Sequence, residues 1–437
     1  MSIDYGLAQD PRKSRLVIIG QGYVGLPLAL RAAEKGFLVR GLEIKASVVE
    51  SLNAGRSHID DVSDVQLNAA LEAGYSASAD ASCIADADVV VVCVPTPLDE
   101  VGGPDLTAVE DAARTIGRHI QQNTLVILES TTYPGTTEEV FAPLVVGDRL
   151  TVGTDVHIAF SPERIDPGNE TYGIQNTPKV VGGLTPACTR AARGFYEQFI
   201  DTVVEAKGAK EAEMAKLLEN TFRHVNIALV NEMLRFCQEL DIDLWDAIDC
   251  AATKPFGYMA FRPGPGVGGH CVPIDPSYLS HRVRAKLGYS FRIVELAQEI
   301  NAAAPIYVAT RVWQALNEHK VAVNGARVLL VGVTYKPNIS DCRESPAVPI
   351  AERLASWGAH IEYHDPFVPG WSFRTPDGVE SVCAVDDVYA AANQADIVVL
   401  LQPHAQYNHT RLAGASTLLL DTRGVTGTDN SEDTIKL

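Results

Sequence analysis

The chain has 437 residues, 46% of them hydrophobic, enough for two or three domains that each bury a core. A formal net charge of −19 excludes nucleic acid and anionic membrane surfaces as partners held by bulk attraction, so an anionic ligand needs a local basic pocket. The polar N-terminal segment and the lack of any apolar run near the roughly 20 residues that span a bilayer predict neither a secretory signal nor a membrane span, and a cytoplasmic protein is expected.

From Arg15, "RLVIIGQGYVGLPLALRAAEKGFLVRGLEI" reads as an apolar strand, a glycine turn, a helix stopped at Gly36 and a second strand, which is a βαβ unit. Gly20, Gly22 and Gly25 form GxGxxG: a tight turn, close approach of the backbone to a pyrophosphate, and close helix–strand packing, with helix N-terminal donors facing the phosphates. Glycine turns without a ligand also occur. Glu43, however, closes the second strand where a carboxylate accepts from the adenosine ribose and repels a 2′-phosphate, so NAD is expected rather than NADP. "DADVVVVCVPTP" (86–97) and "TLVILESTTYPG" (124–135) predict further buried parallel strands.

In "SPERIDPGN" (161–169), Glu163, Arg164 and Asp166 sit among loop formers, a pattern that by itself says only that the loop is solvated. Residues 209–318 then read as helical. The segment "AKEAEMAKLLENTFRHVNIALVNEMLRFCQEL" (209–240) is too long and too apolar for a surface helix, with Leu217, Leu218, Phe222, Val225, Leu229, Met233 and Phe236 around its circumference. Lys216 and Asn220, four positions apart, share a face, with Glu213 and Arg223 on the same polar line. That line is either a solvated seam at a domain boundary or a lysine and an amide aimed at a developing alkoxide.

In "RPGPGVGGHCVPIDP" (262–276), the glycines at 264, 266, 268 and 269, with Pro263 and Pro265, combine unusual dihedrals with restricted freedom, the support a reactive group needs. Eight cysteines without CxxC pairs predict neither a metal site nor a disulfide framework, and most cysteines are small buried hydrophobes. Cys271 differs, because His270 beside it and Asp275 four residues on can handle protons near a sulfur nucleophile.

The opening grammar then returns. "ARVLLVGVTYKPN" (326–338), "WGAHIEYHDP" (357–366), "QADIVVLLQPHA" (394–405) and "STLLLDTRG" (416–424) mirror the strands of the N-terminal half. The expected architecture is α/β: two Rossmann-like doubly wound parallel-sheet domains joined by a long central helix. The second copy lacks GxGxxG and reads either as a purely structural domain or as a ligand site. Lys336 and Arg343 lie in the loop expected at the carboxyl end of its first strand, where two cations suit a diphosphate.

Taken in order, "GQGYVGLPLA", "CVPTP", "ESTTYPGTT", "SPER", "AKLLENTFRHVNIALVNE", "PGPGVGGHCVPIDP" and "GVTYKPNISDCRESP" resemble the motifs of the UDP-glucose/GDP-mannose dehydrogenase family over nearly the whole chain. The resemblance implies an NAD-binding domain over 1–208, a central helical dimerisation region over 209–318 and a UDP-sugar-binding domain over 319–437, hence a homodimer or higher homo-oligomer. It also implies four-electron oxidation of the C6 alcohol of a nucleotide sugar, through an aldehyde, a Cys271 thiohemiacetal and a Cys271 thioester that water hydrolyses.

By position, the resemblance gives Lys216 and Asn220 the oxyanion, and gives Glu163, Asp275 and Lys216 the water. Thr131 contacts that water in a loop one residue longer than the family's ST-x-P, which leaves Thr132 as the alternative. It implies cofactor contacts at Gly20, Gly22, Tyr23, Val24, Gly25, Glu43, Pro95, Thr96, Thr131 and Arg343. Substrate contacts fall at Glu163, Arg164, Lys216, Asn220, Arg262, Gly268 and Lys336. "GRSHIDD" (55–61), "PERIDPG" (162–168) and "TKPFGYM" (253–259) are similar to members acting on UDP-N-acetylhexosamines. UDP-N-acetylglucosamine is expected first, with UDP-N-acetylmannosamine, an N-acetylgalactosamine epimer and UDP-glucose as alternatives. A two-electron hydroxyacid dehydrogenase would leave Cys271 unused, and a non-catalytic NAD-binding scaffold would leave "GGHC" unexplained.

Overall fold

The computed structural model describes residues 14–99, 102–166, 169, 171–269, 272, 274–427 and 433–437; His270 and Cys271 lie outside the described residues. The chain divides into two compact units, one of residues up to 219 with 277–288, the other of 220–276 with 289–437.

In the first unit, β1 (Arg15–Ile19), β2 (Leu38–Leu42), β3 (Tyr75–Ser78), β4 (Val89–Val92), β5 (Leu125–Leu128), β6 (His157–Phe160), β7 (Lys179–Gly183) and β8 (Val203–Glu205) form one sheet in the order β3-β2-β1-β4-β5-β6-β7-β8. Neighbours run parallel except β6 and β7. Side chains alternate between the sheet's faces. Leu16, Ile18, Val89, Val91, Leu125 and Ile127 pack with the helices Gly25–Glu34 and Pro186–Tyr196. Val17, Ile19, Val90, Val92, Val126 and Leu128 pack with the helix Thr107–His119. Both faces are therefore apolar and covered, which is why these strands read as unbroken valine, isoleucine and leucine runs.

In the second unit, β9 (Arg327–Val331), β10 (His360–His364), β13 (Ile397–Leu400), β14 (Leu419–Asp421) and β15 (Thr434–Lys436) form a parallel sheet in the order β10-β9-β13-β14-β15. Its first four strands repeat the β2-β1-β4-β5 order of the other unit, as the sequence mirror implies. An antiparallel hairpin, β11 (Gly370–Thr375) and β12 (Gly378–Cys383), follows β10.

The helix Ala209–Glu239 runs unbroken for 31 residues, and the division between units falls inside it, between Glu219 and Asn220. Its apolar residues divide between two settings. Leu217, Ala228, Val230, Leu234 and Cys237 are buried, whereas Leu218, Phe222, Leu229 and Phe236 are 45–60% exposed in the single chain. A second long helix, Arg292–Glu318, keeps Pro305 in its interior. Two cysteines also depart from the expected burial, since Cys250 and Cys383 are exposed. Among the described residues no helix is long and apolar enough to cross a membrane.

Candidate active site

The turn after β1 is fixed by its glycines and by one buried amide. Gly20 has φ +91°, and a Cβ there would stand 2.4 Å from the Cys93 carbonyl oxygen, so no side chain fits. Gln21 is buried: its Nε2 donates to the Ile18 carbonyl at 2.8 Å, and its Oε1 accepts from the Tyr75 hydroxyl at 2.8 Å. Its backbone N–H donates to Glu43 Oε2 at 3.2 Å, which brings the carboxylate of β2's end against the turn. Around Gly22 a Cβ would meet nothing within 4 Å. An open glycine, an acidic neighbour and the N-terminus of the helix Gly25–Glu34 are the cradle a dinucleotide needs. Tyr23 and Val24 are half-buried at the same turn.

The carboxyl ends of β4, β5 and β6 carry the next predicted residues. Pro95 is exposed and Thr96 buried, with the Thr96 carbonyl accepting from the Tyr278 hydroxyl. Ser130 Oγ donates to the Val94 carbonyl at 2.8 Å and ties this loop to the one after β5. There Thr131 is half-buried, while Thr132 is 1% exposed. After β6, the Glu163 carbonyl accepts from Lys216 Nζ at 2.7 Å, and Arg164 pairs with Glu219 at 2.8 Å and donates to the Pro178 carbonyl at 2.6 Å. The helix Ala209–Glu239 thus holds the 163–164 loop at two points, one of them predicted only as a substrate contact. Desolvation raises the Glu163 carboxyl above its usual range, with the charges of Lys216 and then Lys179 pulling it back.

Lys179 itself is held by Glu129, Nζ to Oε1 at 2.9 Å, with side chains 10% and 1% exposed, and Glu129 also accepts from the Tyr196 hydroxyl. This pair had no sequence signal, because its members lie 50 positions apart (179 − 129), one just past β5 and the other at the start of β7. Lys179→Met should cost about 3–5 kcal/mol in urea unfolding by stranding the Glu129 charge, and adding Glu129→Gln should recover most of it. Equal stability of single and double variants would contradict this.

In the second unit, Asn220 Nδ2 donates to Asp275 Oδ2, and Asp275 is 2% exposed at the first position of the helix Asp275–Leu287. The glycine loop before it packs on the loop after β9. The Gly269 N–H donates to the Arg343 carbonyl at 3.0 Å, and a Cβ on Gly268 would stand 2.7 Å from both the Glu344 carbonyl oxygen and Tyr335 Cβ. At its other end the Gly264 N–H donates to Asn231 Oδ1 at 3.1 Å, Asn231 Nδ2 donates to Asn301 Oδ1 at 3.1 Å, and Asn301 Nδ2 donates to the buried His224 carbonyl at 3.2 Å. Burial pushes the His224 imidazole down to about 4, so it stays neutral in this chain of amides.

Three of the predicted basic residues belong to this unit. Arg343 pairs with Asp341 at 2.6 Å in its own loop, while Lys336 is half-buried with its carbonyl accepting from Thr334 Oγ1 at 2.8 Å. Arg262 pairs with Asp249 and lies over the Trp245 ring at 5.7 Å. Sequence reasoning missed Arg423. Its Nε donates to the Leu401 carbonyl at 2.7 Å, and a Cβ on Gly264 would stand 2.9 Å from its Nη1. The "LLLDTRG" run, a strand end mirroring the one before Thr131, was the signal that could have found it.

Family models describe the whole arrangement. The UDP-glucose/GDP-mannose dehydrogenase NAD-binding domain matches residues 14–200, the central domain 210–303 and the UDP-binding domain 329–428. An NDP-N-acetyl-D-galactosaminuronic acid dehydrogenase from Ralstonia nicotianae is 35% identical over 93% of this chain and 95% of its own. A UDP-N-acetyl-D-glucosamine 6-dehydrogenase from Pseudomonas aeruginosa is 33% identical over 96% and 98%. Among solved structures, a UDP-D-ManNAc dehydrogenase from Pyrococcus horikoshii superposes with a TM-score of 0.86 at 29% identity, over 97% of this chain and 98% of that one.

Proposed function

This chain belongs to the UDP-glucose/GDP-mannose dehydrogenase family, and from that premise we propose that it converts the C6 hydroxyl of a UDP-N-acetylhexosamine, UDP-N-acetylglucosamine first, to the uronic acid. At the coarser level it is an NAD-dependent nucleotide-sugar 6-dehydrogenase. The relatives with near-equal identity act, by their names, on acetamido sugars, and "PERIDPG" and "TKPFGYM" favour the same class. Residues 1–208 would hold NAD, 209–318 would dimerise and 319–437 would hold the UDP-sugar. The exposed Phe222, Leu229 and Phe236 support a homodimer, because a second copy would cover them.

NAD, when bound at the Gly20–Gly25 turn, would accept one hydride, and with it two electrons, in each oxidation. In the first oxidation the alcohol loses a hydride and a proton and becomes the aldehyde. The Cys271 sulfur then adds to the aldehyde carbon, and the carbonyl oxygen takes up a proton to give the thiohemiacetal. Loss of a second hydride and proton gives the thioester, and water breaks the C–S bond to release the acid and the thiol. Lys216 and one amide N–H of Asn220 would stabilise the oxyanion in both additions. Glu163 and Asp275 would orient the water, with Thr131 beside it, and Lys336 and Arg343 would neutralise diphosphate charge.

The observation that carries this reading is the Asn220–Asp275 hydrogen bond. It joins the residue one turn past Lys216 to the carboxylate four residues past Cys271, setting an amide donor beside a carboxylate able to orient water. The test is NADH formed per sugar consumed with excess NAD, comparing UDP-N-acetylglucosamine, UDP-N-acetylmannosamine and UDP-glucose. Two NADH per UDP-N-acetylglucosamine, with kcat/KM above the other sugars, is the expected result. One NADH would contradict the covalent mechanism, and preference for another sugar would move the subgroup.

A further inference from the structure

Glu213 is 0% exposed on the helix Ala209–Glu239, three residues before Lys216, and no cation lies among the partners found for it. Its carboxylate is held by four donors of one loop: the Gly135 N–H at 2.6 Å, the Thr137 N–H at 2.9 Å, the Thr137 hydroxyl at 2.7 Å and the Thr132 hydroxyl at 3.5 Å. Burying a carboxylate whose hydrogen bonds come only from neutral donors is costly, and Glu213's carboxyl is raised by that burial while these bonds pull it back. A leucine would fill the same space at less cost, so stability alone does not account for the residue.

We propose that Glu213 is a positioning residue that anchors the 130–137 loop to the helix bearing Lys216, turning Thr132 inward and leaving Thr131 to face the reaction. The inference rests on the function proposed above and deepens it. The loop is one residue longer than the family pattern, and the anchor accounts for the extra length: Thr132 and the residues after it are drawn onto Glu213, while Ser130 is tied to Val94 on the other side. Between these two fixed points Thr131 is the half-buried hydroxyl that remains. The anchor and Lys216 lie less than one turn apart on a single helix, so the lysine and the threonine are placed by one rigid element.

The test compares wild type with Glu213→Gln, Thr131→Ala and the double variant, measuring kcat, both KM values and thermal stability. Glutamine keeps the volume but turns one acceptor into a donor, which opposes the Gly135 or Thr137 N–H. Wild type without turnover would defeat the functional reading itself. With wild type active, Glu213→Gln should lower kcat on the order of 10²-fold, the scale of a misplaced catalytic group, with KM for the UDP-sugar within about twofold. The double variant should be no slower than about twofold below the slower single, because both changes disable the same hydroxyl. Multiplicative losses in the double variant, or an unchanged kcat in Glu213→Gln, would overturn the proposal. If Glu213→Gln does not fold, Thr137→Val removes one donor and keeps its backbone N–H. A lowered kcat that does not multiply with Thr131→Ala is then expected, and full activity would be the overturning result.

Discussion

Cys271→Ser is expected to lower uronic acid formation by on the order of 10⁴-fold or more while leaving NAD binding intact. A serine hydroxyl at neutral pH is not ionised and adds poorly to an aldehyde, so the chemistry stops after the first oxidation. Mixing the variant with excess NAD and UDP-sugar should therefore give no more than one NADH per sugar and an aldehyde detectable by mass spectrometry. The magnitude follows from the tether. In the proposed mechanism the tether keeps the carbonyl carbon in place for the second oxidation, and such positioning contributes about 7–11 kcal/mol at its limit. Steady acid production by the serine variant would remove the covalent mechanism and return the two-electron dehydrogenase to first place.

Lys216→Met should be the next most damaging change, lowering kcat by about 10² to 10⁴-fold with KM for NAD unchanged. The methionine retains the apolar stem that packs at this 8% exposed position but loses the ammonium that donates to the Glu163 carbonyl. A second effect follows from charge. Desolvation already raises Glu163, and Lys216 is the largest influence opposing that rise, so its removal lifts the carboxyl further. In the proposed mechanism Glu163 orients water only when deprotonated, so the acidic limb of the kcat profile should move to higher pH in the variant. A profile superimposable on that of wild type would separate Glu163 from the water, and an unchanged kcat would remove Lys216 from the chemistry.

What could be read without coordinates was local. The GxGxxG turn, Glu43 at the end of β2, and the mirrored strands announce themselves through period and spacing over a few residues, and the structure places them as that pattern implies. What escaped depends on distance along the chain. Glu213 bonds to residues 76–81 positions away and Lys179 meets Glu129 across strands, so no window of sequence contains either arrangement. Pro305 lies inside the helix Arg292–Glu318, and its ring packs against the glycine loop, where a Cβ on Gly266 would stand 3.2 Å from it, a contact 39 positions away (305 − 266) that no local pattern shows. Which side of the long helix its own chain covers was not legible either, because apolar residues around much of a circumference do not say which of them find neighbours.

The amides linking Gly264, Asn231 and Asn301 govern when, as well as where, the cysteine loop takes shape. Gly264 and Asn231 are 33 positions apart and Asn231 and Asn301 are 70 apart, so these bonds close only after both long helices have docked. A newly made chain therefore carries residues 262–276 before the bonds that fix their Gly264 end exist. During that interval the thiols of the chain are those of an unfolded polypeptide, open to oxidation by the surrounding medium. The redox state of the medium thus joins temperature and concentration among the conditions that decide how much of the newly made chain becomes working enzyme.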